Sequence, residues 1–177
     1  RGTGKPHNED AVLLNTKVCQ GSIREFGEVD ASELCYFAVA DGVSSGNLPR
    51  MASRRLLEIL LSHLAVASAT TSLSKLLHQV QKTYAALETN AEFRGMASTL
   101  VGVRLAGRTA TIFNVGDSRA YLLTACIDGS QARLLSRDHN VLTDMLADGE
   151  ITPDQASNAA SFLRSLTSQF MVDAEFD

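Results

Sequence analysis

The spacing of hydrophobic positions changes several times along the chain, and each spacing predicts one kind of element. Two apolar runs, residues 11–19 and 34–40, are short and partly β-branched, which is typical of strands. The second run is apolar almost throughout and predicts a strand that is buried on both faces. Residues 48–64 and 73–87 then carry apolar side chains at every third or fourth position, which predicts two amphipathic helices.

A spacing of two returns in the second half of the chain. Residues 98–105 and 108–115 predict one hairpin, and residues 119–125 and 131–136 predict another. The stretch Thr152-Pro153-Asp154-Gln155 has the cap, the proline and the glutamine that begin a short helix. Because strands and helices are grouped and do not alternate, an α+β fold with antiparallel sheets is favoured over a Rossmann-like sheet.

Composition and charge are those of a single soluble globular domain spanning residues 1–177. A net charge of -4 argues against nucleic acid and anionic membranes as partners, and no apolar run is long enough to span a membrane. The three cysteines, Cys19, Cys35 and Cys126, are far apart, which argues against a disulfide framework. We therefore expect a reducing, cytoplasmic location.

Several acidic residues stand where predicted strands begin or end. Carboxylates gathered at one sheet edge repel one another unless they are hydrogen-bonded or neutralised, and hard divalent cations neutralise them well. Oxygen ligands select Mg²⁺, Mn²⁺ or Ca²⁺ over Zn²⁺. The acids concerned, with one adjacent glycine, are Glu9, Asp10, Asp41, Gly42, Asp117 and Asp138.

Each acid also has an ordinary structural interpretation. Asp41 and the glycine after it form a common turn sequence, Asp117 can cap a loop, and Asp138 can cap a following helix. The opening Gly4-Lys5 does not indicate a phosphate-binding P-loop, because Pro6 stands at the Ser/Thr position and a strand follows where a helix is needed.

Five short motifs follow one another along nearly the whole chain. They are KPHNED (5–10), FAVADGVSSG (37–46), ASTL (97–100), NVGDSRAY (114–121) and LSRDHN (135–140). This ordered series resembles the metal-dependent Ser/Thr protein phosphatases, the PPM or type 2C family, and particularly its bacterial members. The resemblance implies an α+β fold in which two antiparallel β-sheets pack face to face and are flanked by helices, an αββα sandwich.

The resemblance also implies an activity. Members of the family hydrolyse phosphoserine and phosphothreonine in phosphorylated proteins, the products of Ser/Thr kinases, without a phosphoenzyme. A water that bridges two Mn²⁺ or Mg²⁺ ions is the nucleophile, and bacterial members hold a third ion. A flap beside the active site would correspond to residues 140–168 of this chain.

Site roles carry over from the family by position. Asp41 would bridge the two ions and act in catalysis, and Gly42 would offer its backbone carbonyl to a metal. Glu9 would act through a bound water, and Asp117 would match the ligand of the third ion. Asp10 would be an acid that is linked to a metal or that lies behind the metal ligands.

The chain departs from the family pattern in three respects. Lys5 stands where the family has the arginine that binds the substrate phosphate. The catalytic and substrate-binding role would therefore fall to Lys5, whose ammonium group is a point charge and lacks the bidentate fork of arginine. Val43 replaces a histidine that eukaryotic members use as a proposed acid. His7 and His139 are the nearby alternatives to that missing histidine, but a structural hydrogen-bonding role is favoured for each.

The third departure concerns the family's later S-D-G segment and Asp-Asn pair, which supply further metal ligands. The sequence ends before either of them, and the first family strand is also missing, so we expect a fold that is incomplete at both ends. An alternative function is therefore a non-catalytic or truncated phosphatase-like module that regulates or binds. The oligomeric state stays open.

Overall fold

A computed structural model describes residues 7–22, 28–30, 33–126, 129–159 and 161–172 of the chain. Its strands are β1 Asp10–Leu14, β2 Lys17–Gln20, β3 Cys35–Asp41, β4 Ala97–Ser98, β5 Leu100–Ala106, β6 Thr109–Val115, β7 Tyr121–Cys126, β8 Gly129–Leu134 and β9 Phe170–Met171. Its helices are α1 Pro49–Leu64, α2 Leu73–Ala85, α3 Val141–Ala147 and α4 Pro153–Ser157, with 3₁₀ turns at Ala86–Thr89, Ala91–Phe93 and Ser161–Arg164.

Every strand of the described residues pairs with its neighbours in the antiparallel direction, and these strands form three sheets. The main sheet has five strands in the order β2-β1-β3-β5-β6, and two smaller sheets pair β4 with β9 and β7 with β8. The predicted α+β fold of antiparallel sheets flanked by helices is confirmed.

Helix α1 covers one face of the main sheet, and α2 packs against α1. In strand β3, the side chains of Tyr36, Ala38 and Ala40 are buried on the face that α1 covers. Val39 points to the other face and keeps 41% of its surface exposed. Asp41 shares that second face, because strand side chains repeat every two residues. The acidic strand ends therefore lie on the side of the sheet away from the core.

The predicted strand over residues 11–19 is wrong in its length. A turn at Asn15, with a φ of 53°, divides it into β1 and β2. Asn15 tolerates this left-handed backbone better than most residues. Its N–H donates to the Tyr36 carbonyl at 2.8 Å and its Oδ1 accepts from the Tyr36 N–H at 3.4 Å, so the neighbouring strand β3 fixes the turn.

The other predicted elements are confirmed with shifted ends, including the hairpin of β5 and β6, the hairpin of β7 and β8, and the capping box at Thr152. The second strand of the latter hairpin begins earlier than predicted, at Gly129 and not at residue 131. The buried side of α1 includes a polar residue. Met51 is 36% exposed whereas Ser53 is fully buried. Ser53 tolerates burial because its hydroxyl donates to the Glu9 carbonyl.

The end of the described chain returns to the core. Gln81 of α2 bonds both backbone groups of Met171, donating to its carbonyl at 2.8 Å and accepting from its N–H at 3.3 Å. Two further backbone bonds close the base of the segment that α3 and α4 occupy. Thr167 N–H donates to the His139 carbonyl, and Val141 N–H donates to the Ser165 carbonyl. The predicted flap, residues 140–168, covers this segment, and its role as a mobile flap stays a prediction. No helix within the described ranges is long and apolar enough to cross a membrane.

Candidate metal centre

Two acids face each other at the end of the main sheet. Asp10 at the start of β1 is the direct partner of Asp41 at the end of β3. The Gly42 N–H donates to the Glu9 carbonyl at 3.3 Å, so the two aspartates form a non-hydrogen-bonded pair, the kind in which side chains approach most closely. Like charges directly opposite on a sheet are destabilising. The pair therefore fits a position where a cation binds.

The backbone of Asp41 is held on the side of β5. Its carbonyl accepts from the Thr99 N–H at 2.9 Å and from the Ser98 hydroxyl at 3.0 Å, and its N–H donates to Thr99 Oγ1 at 3.3 Å. Three bonds to two consecutive residues leave the main chain little freedom. The exposed carboxylate is consequently presented from a rigid support, as a metal ligand requires.

Gly42 has a packing reason to be glycine. A Cβ at this position would lie 1.8 Å from the carbonyl oxygen of Pro49, at the start of α1. The space beside Gly42 is thus filled by the start of the helix. The chain continues from Asp41 as a bridge between Gly42 and Ser98 and does not make a tight turn, so the common-turn interpretation of Asp41-Gly42 is wrong.

Glu9 joins the edge to the loop after β3. Its Oε2 accepts from the Ser44 hydroxyl at 2.7 Å, while its carbonyl accepts from Gly42 and from the buried Ser53. The carboxylate is directed toward the residues that follow Asp41. Ser44 was not singled out from the sequence, although it lies within the VADGVSSG motif.

The loop that carries Asp117 is attached to the same edge through hydroxyl groups. Ser118 and Thr99 are joined by an Oγ to Oγ1 hydrogen bond of 2.7 Å, and Thr99 in turn holds Asp41. Gly116 donates its N–H to His139 Nδ1 at 3.1 Å and accepts from the His139 N–H at 2.9 Å. His139 is therefore a hydrogen-bond partner of this loop, in agreement with the structural role that was favoured for it.

Asp138 is bound by an arginine. Arg119 Nε donates to Asp138 Oδ1 at 2.8 Å while Nη2 donates to Oδ2, a bidentate pair. The pKa of Arg119 is raised above its ordinary value, first by this hydrogen bond to Asp138 and then by one to Tyr121. The helix-cap interpretation of Asp138 is wrong, because Asn140 caps α3 by accepting from the Thr143 N–H. Asp138 is a structural acid.

The donor types at the edge suit Mn²⁺ or Mg²⁺: carboxylates of Asp10, Asp41 and Glu9, with backbone carbonyls beside them. Their number is smaller than a complete site needs. Across residues 7–22, 28–30, 33–126, 129–159 and 161–172, no three or more His, Cys, Asp or Glu side chains are grouped closely enough to hold a metal. The chemistry of the donors therefore fits a hard cation, while these residues alone supply only part of its ligand shell.

The predicted site residues are thus placed as follows. Glu9, Asp10, Asp41 and Gly42 meet at one sheet edge, and Asp117 is brought near it by its neighbour Ser118. Lys5 lies outside the described residues. The hydroxyls of Ser98, Thr99 and Ser118 were missed as supports, since only their presence in two motifs signalled them.

Comparison with known proteins agrees with this fold. Residues 12–169 match the family model of protein phosphatase 2C. The chain belongs to the protein phosphatase 2C family. The serine/threonine phosphatase stp of Listeria innocua is 32% identical over 130 residues, which are 68% of this chain and 49% of the relative. The chain thus spans about half the length of the curated relatives it matches.

Solved structures share the fold at lower identity. The crystal structure of the phosphatase Stp1 from Staphylococcus aureus superposes with a TM-score of 0.74 and 21% identity, covering 97% of this chain and 63% of that chain. The catalytic domain of the serine/threonine protein phosphatase PstP, in complex with two manganese ions, gives a TM-score of 0.59 and 24% identity over 88% of this chain and 60% of that chain.

Proposed function

We propose that this chain is part of a protein serine/threonine phosphatase that hydrolyses phosphoserine and phosphothreonine in phosphorylated proteins. It would contribute the acidic edge, by which we mean the strand ends that carry Glu9, Asp10 and Asp41. The observation that carries the proposal is the Asp10–Asp41 pair, which sits at a rigidly bonded strand end in a chain of the protein phosphatase 2C family. The phosphoproteins would be products of Ser/Thr kinases. Cys19 and Cys35 are not joined in a disulfide, which supports action in a reducing, cytoplasmic setting.

The proposed cofactors are two Mn²⁺ or Mg²⁺ ions, with a third near Asp117. When bound, such ions activate water and neutralise the charge of a phosphoryl group. Asp10 and Asp41 would supply carboxylate oxygens, and Gly42 its carbonyl. Glu9, directed by Ser44, would hold a water at the same edge. The manganese in the PstP structure supports this choice of metal.

Substrate binding is proposed for Lys5. An ammonium group donates hydrogen bonds to phosphate oxygens but lacks the planar fork of arginine, so we expect the phosphate to be attracted and less firmly oriented. Substitution of Lys5 by Arg is then expected to lower KM for a phosphopeptide.

Phosphate release from a phosphothreonine peptide in the presence of Mn²⁺ tests the function. The Asp41→Asn variant is expected to lose activity by at least about 100-fold, because it removes a charge from the metal edge. Glu88→Gln, an exposed acid in a 3₁₀ turn, is the matched control and is expected to keep the wild-type rate. An inactive wild-type protein, or an Asp41→Asn variant with an unchanged rate, would refute the proposal.

A second candidate function is a non-catalytic module on the same fold. It is favoured by the incomplete grouping of metal-binding side chains in the described residues. Calorimetric titration with Mn²⁺ discriminates between the two. Binding of two ions that Asp41→Asn weakens supports the phosphatase, whereas no heat at millimolar Mn²⁺ supports the regulatory or binding module for this chain.

A further inference from the structure

A cavity of about 500 Å³ opens beside the acidic edge, between the start of α1 and strands β1 and β2. Its volume lies within the range of small-molecule and peptide side-chain pockets. Glu9 belongs to both the cavity wall and the acidic edge, so the two are continuous. A ligand that reaches the edge can therefore extend into the cavity.

The wall of this cavity is apolar with a positive end. Leu48, Pro49 and Met51 form an apolar part, and Met51 is 36% exposed there. Arg50 and Arg54 stand on the same helix turns. Glu9 is the single acid among the described lining residues, and its Oε2 accepts from Ser44 outside the cavity wall. An anionic group with an apolar stem suits such a wall.

The two arginines are not equivalent. Arg54 Nε donates to Glu58 Oε1 at 2.8 Å, so its charge is already paired. The Arg50 guanidinium has no hydrogen-bond or ion-pair partner within the described residues, while the Arg50 carbonyl is held by Gln20 Nε2 at 2.7 Å. Its backbone is thus fixed and its charge is available.

The start of α1 adds to the positive field. The helix is 16 residues long, has no acidic residue in its first turn and has no side-chain hydrogen bond at its N-cap, Leu48. Helix N-termini carry a partial positive charge that acidic side chains usually offset. Here the offset is missing at the place where Arg50 faces the cavity.

We propose that this cavity is a substrate-recognition subsite that binds an acidic side chain of the phosphoprotein close to the phosphorylated residue, with Arg50 as the specificity-determining cation. The inference rests on the proposed phosphatase function for the placement of the phosphorylated residue at the edge. A carboxylate is the fitting anion, because one unpaired guanidinium balances one negative charge and the apolar wall covers the side-chain stem. The phosphatase would therefore prefer phosphosites with a nearby glutamate or aspartate.

Binding of labelled peptides to the full chain tests the subsite without turnover. The probes are fluorescein-labelled, alanine-rich peptides with one phosphothreonine and one glutamate placed at each flanking position in turn, and each has a glutamine twin. Fluorescence anisotropy is measured in EDTA. We expect at least one glutamate peptide to bind about threefold or more tighter than its twin, the size of one partly exposed ion pair.

Variants test whether Arg50 causes the preference for glutamate. Arg50→Ala is expected to reduce the glutamate-to-glutamine ratio to about one, and Arg50→Glu is expected to favour peptides with lysine at the same position. Arg108→Ala removes an equal charge from the exposed β5–β6 turn and is expected to keep the wild-type ratio. The reversal by Arg50→Glu cannot result from misfolding, which would weaken every peptide alike.

The outcomes separate the subsite from the phosphatase activity. A ratio near one at all positions of the wild-type protein, or a ratio that Arg50→Ala leaves unchanged, would overturn the subsite even if the peptides are hydrolysed with Mn²⁺. A preference that depends on Arg50, seen in a protein that hydrolyses none of these peptides, would uphold the subsite and count against the proposed catalysis.

Discussion

Asp41 ends strand β3 and Asp138 lies shortly after strand β8, yet the charges that face these two acids are opposite in sign. Asp138 is only 8% exposed and receives two hydrogen bonds from the guanidinium group of Arg119. Asp41 is exposed and lies opposite another acid, Asp10. The first carboxylate is bound by a guanidinium group, whereas the second lies across from a like charge on the neighbouring strand. A strand-end acid that faces an acid is the better indicator of a functional site, since its placement costs stability.

The backbone beside the Asp10–Asp41 pair is expected to tolerate substitution least. Gly42→Ala would place a methyl group 1.8 Å from the Pro49 carbonyl, so strand β3 or helix α1 must move. We expect a loss of about 3 kcal/mol or more in the free energy of unfolding, measured with urea.

Gly107→Ala is the matched control for that loss. Gly107 has a φ of +56° and no atom within 4 Å of a built Cβ, so only backbone strain is added, about 1 kcal/mol. Equal losses for the two variants would show that close packing of α1 does not set the position of Gly42.

Loss of charge at the structural acid comes next in size. Asp138→Asn is expected to destabilise the fold by about 2 kcal/mol, because a charged bidentate bond is broken. A buried ion pair would cost more to break, but the Arg119 side chain is 49% exposed and water screens it. Urea denaturation measures the change.

The exposed pair of Arg137 and Asp144 supplies the control. Asp144→Asn is expected to cost about 0.5 kcal/mol or less, since both side chains are largely open to solvent. If Asp138→Asn were as mild as Asp144→Asn, the Arg119 pair would not be what distinguishes the two regions.

The smallest change in the free energy of unfolding is predicted for the Asp10–Asp41 pair, and it is a gain in stability. Asp10→Asn is expected to stabilise the metal-free protein by about 0.5 kcal/mol, because it removes a like charge opposite Asp41. The gain should shrink in high salt, which screens exposed charges. Denaturation in EDTA at two salt concentrations measures it, and a destabilised variant would contradict the like-charge explanation.

Much of the fold follows from local patterns. Strand β3 and the two long helices were predicted within a few residues, because apolar spacing is a property of neighbouring positions. The turn at Asn15 was missed, since Asn-Thr is a weaker turn sequence than one with Gly or Pro. Its stability comes from bonds to Tyr36, 21 residues away.

The candidate site was likewise predicted where it depends on neighbouring positions and missed where it depends on distant ones. The acids at strand ends were found from the sequence because strand boundaries are local. Their supports were not, since Thr99 lies 58 residues from Asp41 and only the folded sheet joins them. The cation of the cavity was likewise hidden, because Arg54 and Arg50 look alike until Glu58 is seen to pair with one of them.

The closed base of the segment after His139 has an evolutionary consequence. Its ends are joined by the bonds from Thr167 to His139 and from Val141 to Ser165, and the chain then enters β9, which Gln81 holds. Insertions between these anchors would lengthen a loop whose closure entropy grows only slowly with length. We expect relatives to vary freely in the number of residues between His139 and Thr167. Such changes in length would leave the sheets and the Asp10–Asp41 pair in place.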